Sequence, residues 1–108
     1  MGNEIADVEI VHHDRGAAGE YHAHLAVAAP DAPTAGRLTW VARDSAQGPV
    51  RVVEHTLVPP RLEGRGIAAQ LVAALIQDAR AQGFLVDPQC SYVAVQFQRH
   101  PEWADLKA

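Results

Sequence analysis

A change of hydrophobic pattern in the middle of the chain constrains the fold more than any other feature. Residues 50–58 (VRVVEHTLV) are rich in β-branched side chains, and they end at two prolines, which cannot donate to a β-ladder. Two glycines follow, and from about Gly66 to Gln82 apolar side chains recur at helical spacing up to Gly83. The stretch therefore predicts a strand that leads through a glycine turn into a long amphipathic helix.

The segments on either side of this stretch read mainly as strands. Residues 7–13, 20–27 and 37–43 have strand character, and short turn-like segments suggest antiparallel neighbours. Residues 84–90 (FLVDPQC) predict a buried fifth strand, which the helical crossover should make parallel to the fourth. Residues 91–99 predict a short second helix, and the tail should dock through Trp103 and Leu106.

The expected fold class is therefore α+β (α/β), with a mostly antiparallel, mixed five-stranded sheet, a long helix after strand 4 and a short C-terminal helix. The 108 residues fit one domain, residues 1–108, and an apolar content of 48% is sufficient for a core. Alternation along the fourth strand predicts that His55 shares a face with Val53, while Glu54 and Thr56 share the other.

Composition excludes several functional classes. The net charge of -4 argues against nucleic acid or an anionic membrane as partner, and the longest apolar run, LVAALI, is too short to span a bilayer. No leader pattern is visible. The single cysteine, Cys90, forms no internal disulfide, so we expect a cytoplasmic protein. His22 and His24 alternate along a strand, as metal ligands or, more simply, as solvent-facing residues.

The glycine turn is a candidate anion site. A helix start leaves unpaired N–H groups and a partial positive charge, and glycine lets a ligand approach the backbone closely. Arg61 and Arg65 add positive charge beside it. The turn lacks the Lys-Ser/Thr pair of a P-loop and the third glycine of a dinucleotide fingerprint. A purely structural turn is the alternative.

The order of elements, together with the stretch EGRGIA (Glu63 to Ala68), resembles the GNAT superfamily of N-acetyltransferases. The superfamily's pyrophosphate motif is Gln or Arg, two residues of any type, Gly, any residue, then Gly or Ala. Gly66 takes the motif glycine and Ala68 the final small residue, whereas Glu63 stands where Gln or Arg is usual.

The resemblance extends to a small single-domain branch, the YjdJ-type GNATs. That branch has the pattern His-Thr-x-Val-Pro, a glycine loop, Pro-x-Cys and a final His-Pro-Glu, and the stretches EHTLVPP, DPQC and RHPE fit it over roughly residues 8–106. The branch lacks the early helices that usually build the acceptor pocket. We expect a monomer or a weak homodimer.

This resemblance implies acetyl-coenzyme A as cosubstrate, an amine acceptor and no metal. In the GNAT fold the fourth and fifth strands splay apart, and the pantetheine arm lies between them. The implied coenzyme contacts are Thr56, Leu57 and Val58 for the pantetheine, with the Val58 region as the oxyanion donor, and Glu63, Gly64, Arg65, Gly66, Ile67 and Ala68 for the pyrophosphate. Arg99 is a further candidate for a coenzyme phosphate.

Acetyl transfer needs an uncharged amine, so a base or a path for the proton is useful. The candidate catalytic residues are Cys90, Tyr92 and His55. Cys90 is a nucleophile, a proton carrier or a small core residue. Tyr92 protonates the departing thiolate or packs on the core. His55 is a base or an ordinary strand histidine.

The predicted function is therefore acetyl transfer from acetyl-coenzyme A to a primary amine, either a protein lysine or a small amine. The alternative is a coenzyme A-binding module without turnover, because the acceptor-site helices are missing and Glu63 departs from the motif. A third possibility is a small structural domain whose glycine turn binds nothing.

Overall fold

The computed structural model describes residues 6–25 and 34–108, which form one five-stranded sheet with two helices. The strands follow sequence order across the sheet, β1-β2-β3-β4-β5. Neighbours are antiparallel from β1 to β4, and β4 and β5 are parallel, so the predicted mixed sheet is confirmed. The strands are β1 Val8–Asp14, β2 Ala18–Leu25, β3 Gly36–Ser45, β4 Gly48–Leu57 and β5 Leu85–Pro88.

Two predicted strand ends have different outcomes: one is untested and the other is wrong. The predicted end of the second strand, residues 26 and 27, lies outside the described residues. The fifth strand is shorter than predicted because the Gln89 and Cys90 amides both donate to the Val53 carbonyl, at 3.1 and 3.0 Å. The chain therefore turns away from the β4 direction there, and Cys90 becomes the N-cap residue of the next helix.

Helix α1, Ile67–Gln82, lies where the periodicity predicts it, between glycines at both ends. Its buried side chains are the predicted apolar stripe: Ile67, Leu71, Val72, Leu75, Ile76 and Ala79. They share one core with Tyr21, Leu38 and Trp40 of the sheet. Each large aliphatic side chain removed from water there contributes about 1.5–3 kcal/mol, so this stripe fixes α1 across strands β1 to β3.

Helix α2, Ser91–Arg99, and a 3₁₀ helix at Pro101–Leu106 complete the core. Val93, Phe97 and Leu106 are buried, and Trp103 packs edge-on against Phe97 with ring centroids 5.5 Å apart. The tail docks as predicted, and Ala108 donates to the Val86 carbonyl of β5 at 2.8 Å. Among the described residues, no helix is long and apolar enough to cross a membrane.

The prediction for the fourth strand was wrong beyond Val53. Val53 pairs with Trp40 and His55 pairs with Thr39, so Glu54 is an extra residue, a β-bulge. A bulge reverses the alternation of side chains. Thr56 consequently pairs with buried Leu38 and lies on the core face, while His55 lies on the opposite face.

A buried arginine was not anticipated. Arg51 of β4 is 7% exposed, and its guanidinium lies between the rings of Trp40 and Phe84, 4.1 and 4.0 Å from their centroids. It donates to the Tyr21 hydroxyl at 2.9 Å, and that hydroxyl donates to Asp78 of α1 at 2.7 Å. This chain of bonds satisfies the buried charge and ties β4, β2 and α1 together.

Candidate active site

Strands β4 and β5 separate at the end of their short parallel ladder. Pairing runs from Val50–Leu85 to Val53–Pro88 and then stops, although β4 continues to Leu57. Within the part of the chain that the structure describes, residues 54–57 therefore have no strand partner on the β5 side. The bulge at Glu54 lies at the start of this unpaired end. The result is an opening in the sheet between the end of β4 and the start of α2.

The glycine turn lies at one end of this opening. Gly64 and Gly66 have φ values of +80° and +76°, in the left-handed region that favours glycine. Gly66 is the N-cap of α1, and the first helical bond runs from the Gln70 amide to the Gly66 carbonyl at 3.1 Å. No side chain caps the helix and its first turn contains no acidic residue. The first amides of α1 are thus free to bind an anion.

A cleft of about 510 Å³ joins the turn to the end of β4. It is large enough for part of a cofactor-sized ligand. Its lining comprises Thr56, Leu57, Val58, Leu62, Glu63, Gly64, Gly66, Ile67, Ala68, Ala69 and Tyr92. Eight of the ten residues predicted to contact the coenzyme lie in this lining. The other two, Arg65 and Arg99, are exposed and lie outside it, as does Arg61.

Two lining residues were missed by the sequence analysis. Leu62 is buried in a single 3₁₀ turn, Pro60–Leu62, that carries the chain from β4 to the glycines. Ala69 follows the motif directly in the first turn of α1. An amide at that position is unpaired in any helix, so the start of the apolar periodicity already contained this signal.

Cys90 lies beside the cleft without lining it. Its Sγ is 3.5 Å from the Thr56 Oγ1, and Thr56 does line the cleft. Burial raises the pKa of the thiol, but the Val93 amide, the Thr56 hydroxyl and the Tyr92 and Thr56 amides together outweigh burial and lower it. Cys90 makes no capping hydrogen bond as a thiol, so these donors act mainly on the thiolate.

Tyr92 and His55 differ in position. Tyr92 lines the cleft, and burial raises the pKa of its hydroxyl, aided by the Cys90 charge and opposed by Arg99. Its hydroxyl therefore stays protonated at neutral pH. His55 is exposed on the opposite face of the sheet and does not line the cleft. The structure thus places Cys90 against Thr56, and Tyr92 in the same cleft lining as Thr56, whereas His55 lies outside this group.

The two alternating histidines of β2 lie near each other on the strand. His22 and His24 have ring centroids 6.2 Å apart, and His22 Nε2 bonds to Glu20 at 2.8 Å. Across residues 6–25 and 34–108, no group of three or more His, Cys, Asp or Glu side chains is arranged to hold a metal ion.

Comparison with known proteins gives the family. The sequence model of the GCN5-related N-acetyl-transferases matches residues 25–106, most of the chain. The chain belongs to this family. No curated protein matches it.

Solved acetyltransferases have the same fold. An aminoglycoside acetyltransferase, meta-AAC0020, from an uncultured soil metagenomic sample and in complex with sisomicin, gives a TM-score of 0.62 at 22% identity over 80% of this chain and 57% of that chain. The same protein in complex with trehalose gives a TM-score of 0.59 at 18% identity over the same shares.

A ribosomal-protein-alanine N-acetyltransferase from Brucella melitensis biovar Abortus 2308 gives a TM-score of 0.55 at 20% identity, over 88% of this chain and 66% of that chain. At these identities the likeness describes the fold. This member of the GCN5-related family spans 57–66% of the length of these structures.

Proposed function

We propose that this protein transfers the acetyl group of acetyl-coenzyme A to a primary amine. The observation that carries the proposal is the cleft that runs without interruption from the glycine turn of α1 to the unpaired end of β4. One end of the cleft suits a pyrophosphate and the other suits an amide-containing arm, which is the chemical order of the coenzyme.

The turn fits a pyrophosphate in shape and charge. A Cβ built on Gly64 meets no atom within 4 Å, so the space outside the turn is open to a ligand. The uncapped amides at the start of α1 and the helix dipole favour an anion. Glu63 is exposed, so its carboxylate can point into solvent while its backbone lines the cleft.

The end of β4 fits the thioester. Leu57 forms the last ladder pair, with Arg37, so the Val58 amide lies beyond the ladder. Pro59 and Pro60 have no N–H, so the Val58 amide is the last backbone donor before the two prolines, and we propose it as a donor to the oxyanion. Acetyl-coenzyme A supplies an activated acetyl group there when it is bound.

Tyr92 and Cys90 are proposed to handle protons at this end. The Tyr92 hydroxyl remains protonated and is suited to protonate a departing thiolate. Cys90 reaches the cleft through Thr56 rather than by lining it, and this favours proton transfer over direct attack on the thioester. The exposed position of His55 gives no support to a role as base.

The experiment has two stages. Acetyl-coenzyme A should raise the thermal unfolding temperature, because a ligand that binds only the folded state stabilises it. Release of free thiol in the presence of amines should then follow. Stabilisation without thiol release would instead support a coenzyme A-binding module, and the absence of both would refute the proposal. Intact mass measured after incubation with acetyl-coenzyme A detects an acetyl-cysteine on Cys90 if one forms.

A further inference from the structure

The two edges of the sheet differ in how they are covered. At one edge, the short strand β5 is covered by the C-terminal tail: Lys107 forms a bridge to Val86, and the Ala108 amide donates to the Val86 carbonyl at 2.8 Å. At the other edge, no described residue pairs with the outer side of β1. Strand β1 contains no bulge, proline or lysine, three features that commonly protect an edge strand. It is therefore open to pairing with another strand.

The backbone hydrogen bonds show which groups of β1 face outward. The Arg15 amide donates to the Ala18 carbonyl at 2.9 Å, and the Ala42 amide donates to the Ala17 carbonyl at 2.8 Å. Even-numbered residues of β2 therefore bond to β1, and odd-numbered ones bond to β3. On β1 the odd-numbered residues bond to β2. The N–H and C=O groups of the even-numbered residues in 8–14 consequently point away from the sheet.

The side chains of β1 carry an ordered charge pattern on the sheet face that α1 leaves uncovered. Ala6 and Ile10 pack against the core, so the even-numbered side chains lie on the face that α1 covers. The uncovered face carries the odd-numbered ones: Asp7, Glu9, Val11, His13 and Arg15. Acidic side chains thus precede Val11, and basic ones follow it. Arg15 lies 3.6 Å from Glu20 but is 58% exposed, so it can also meet a second carboxylate.

Antiparallel pairing of β1 with itself makes this pattern self-complementary. With the two-fold axis at Val11, Asp7 lies opposite Arg15 of a second copy, Glu9 lies opposite His13, and Val11 lies opposite itself. In this register the outward-facing even-numbered residues also lie opposite one another, as the hydrogen bonds of a ladder require. Parallel pairing would place like charges side by side, which is unfavourable.

The same register adds apolar contact on the face that α1 covers. A groove of about 420 Å³ between β1 and α1 has Ile10, His12, Ala73 and Ala74 in its lining. Ile10 is only partly buried in the single chain. Across the axis, Ile10 of the second copy would lie opposite His12 and so bring an apolar side chain to this groove.

We propose that two copies of this chain pair through β1, antiparallel and centred on Val11, so that their sheets become one continuous sheet. The charge order commits the open edge to a second copy, because the strand complements its own sequence. Strand β4, whose end lines the cleft, is separated from β1 by β2 and β3. Both clefts therefore remain open in the dimer, and the pairing is independent of the function proposed above.

The first test measures the oligomeric state of the wild-type chain and two lysine variants by sedimentation velocity over a range of concentrations. The wild type should form a reversible dimer, and a monomer at every concentration would overturn the proposal. Val11→Lys places two ammonium groups opposite each other at the axis, so the dissociation constant should rise at least about tenfold. Val41→Lys, on the same face but in β3, should leave the dissociation constant nearly unchanged. Equal losses would indicate contact through the sheet face and overturn pairing through β1.

The second test uses disulfide formation to examine the register. Residues opposite each other at a non-hydrogen-bonded antiparallel pair have Cα atoms about 4.5 Å apart, a distance that a disulfide can span. Oxidation of Val11→Cys should therefore link two chains on a non-reducing gel. In Glu9→Cys, on the same strand and face, the two introduced cysteines would lie roughly 14 Å apart and should not link. Cys90 gives both variants the same background. Equal linking in the two variants, or no linking of Val11→Cys, would overturn the register.

The third test examines the charge pattern. The double variant Asp7→Lys/Glu9→Lys makes every charged position of the pattern basic or neutral, and the dissociation constant of the dimer should rise at least about tenfold. The control, Asp44→Lys/Glu54→Lys, changes the net charge by the same amount at exposed positions of β3 and β4, away from the edge. It should dimerise nearly as well as the wild type. Equal weakening in the two double variants would overturn the proposed pairing of charges across the axis.

Discussion

Two glycines with the same φ angle allow binding and stability to be separated. Gly64 lies in the turn before α1 and Gly83 follows the last residue of α1. Both have φ of +80°, and a Cβ added to either meets no atom within 4 Å. Substitution by alanine therefore strains the backbone at both positions, without a clash at either. Only Gly64 lines the cleft.

Both Gly64→Ala and Gly83→Ala should lose about 1–2 kcal/mol of unfolding free energy, because that is the cost of a left-handed conformation for a residue with a Cβ. At about 4–8 °C per kcal/mol for a domain near this size, each unfolding temperature should fall measurably and by similar amounts. Thermal unfolding without ligand measures this loss of stability, which the two variants should share.

Only Gly64→Ala should weaken the binding of acetyl-coenzyme A. Its methyl group would project from the lining of the cleft into space proposed for the pyrophosphate, and we expect a loss of at least about tenfold in affinity, or 1.4 kcal/mol. Isothermal titration calorimetry at a temperature where both variants are folded gives the comparison. Equal affinities in the two variants would refute the reasoning, since destabilisation without loss of binding means that the turn does not contact the coenzyme.

Three further predictions follow from other parts of the structure. Thr56→Val should raise the pKa of the Cys90 thiol, measured as the pH dependence of iodoacetamide alkylation, while Thr56→Ser should leave it unchanged. Arg51→Met should lower the free energy of unfolding, measured by chemical denaturation, by about 2–3 kcal/mol, because its buried partners lose their hydrogen bonds. Arg43→Ala should lower it by less than about 1 kcal/mol, because the Arg43–Asp87 ion pair is exposed. Burial, and next the Arg51 charge, hold the pKa of His12 below its ordinary value, so the unfolded chain binds the proton more tightly than the folded chain. The free energy of unfolding should therefore fall as the pH drops below about 6.5, and His12→Gln should reduce the slope of this pH dependence.

Sequence periodicity predicted the elements well where one rule acted alone. The four-residue spacing from Ile67 to Ala79 placed α1 correctly, and Gly83 ended it. The apolar run of β5 and its helical connection predicted the parallel pair with β4. In each case the local pattern and the packed core favour the same arrangement.

The fourth strand shows where such rules fail. Strict alternation placed His55 with Val53, but the bulge at Glu54 shifted the register against β3. No residue type in β4 marks the bulge, because the choice between a regular and a bulged ladder depends on how the neighbouring strand and the core are satisfied together. That choice brought Thr56, rather than His55, to Cys90.

The sequence alone determined the turn, since two glycines between a proline-terminated strand and an amphipathic helix leave few backbone conformations open. It also determined which side chains could serve as donors or acceptors of protons. Only the tertiary structure decided which of them meet. The opening between β4 and β5 and the contact between Cys90 and Thr56 arise from strand register and chain crossing, which join residues far apart in the sequence.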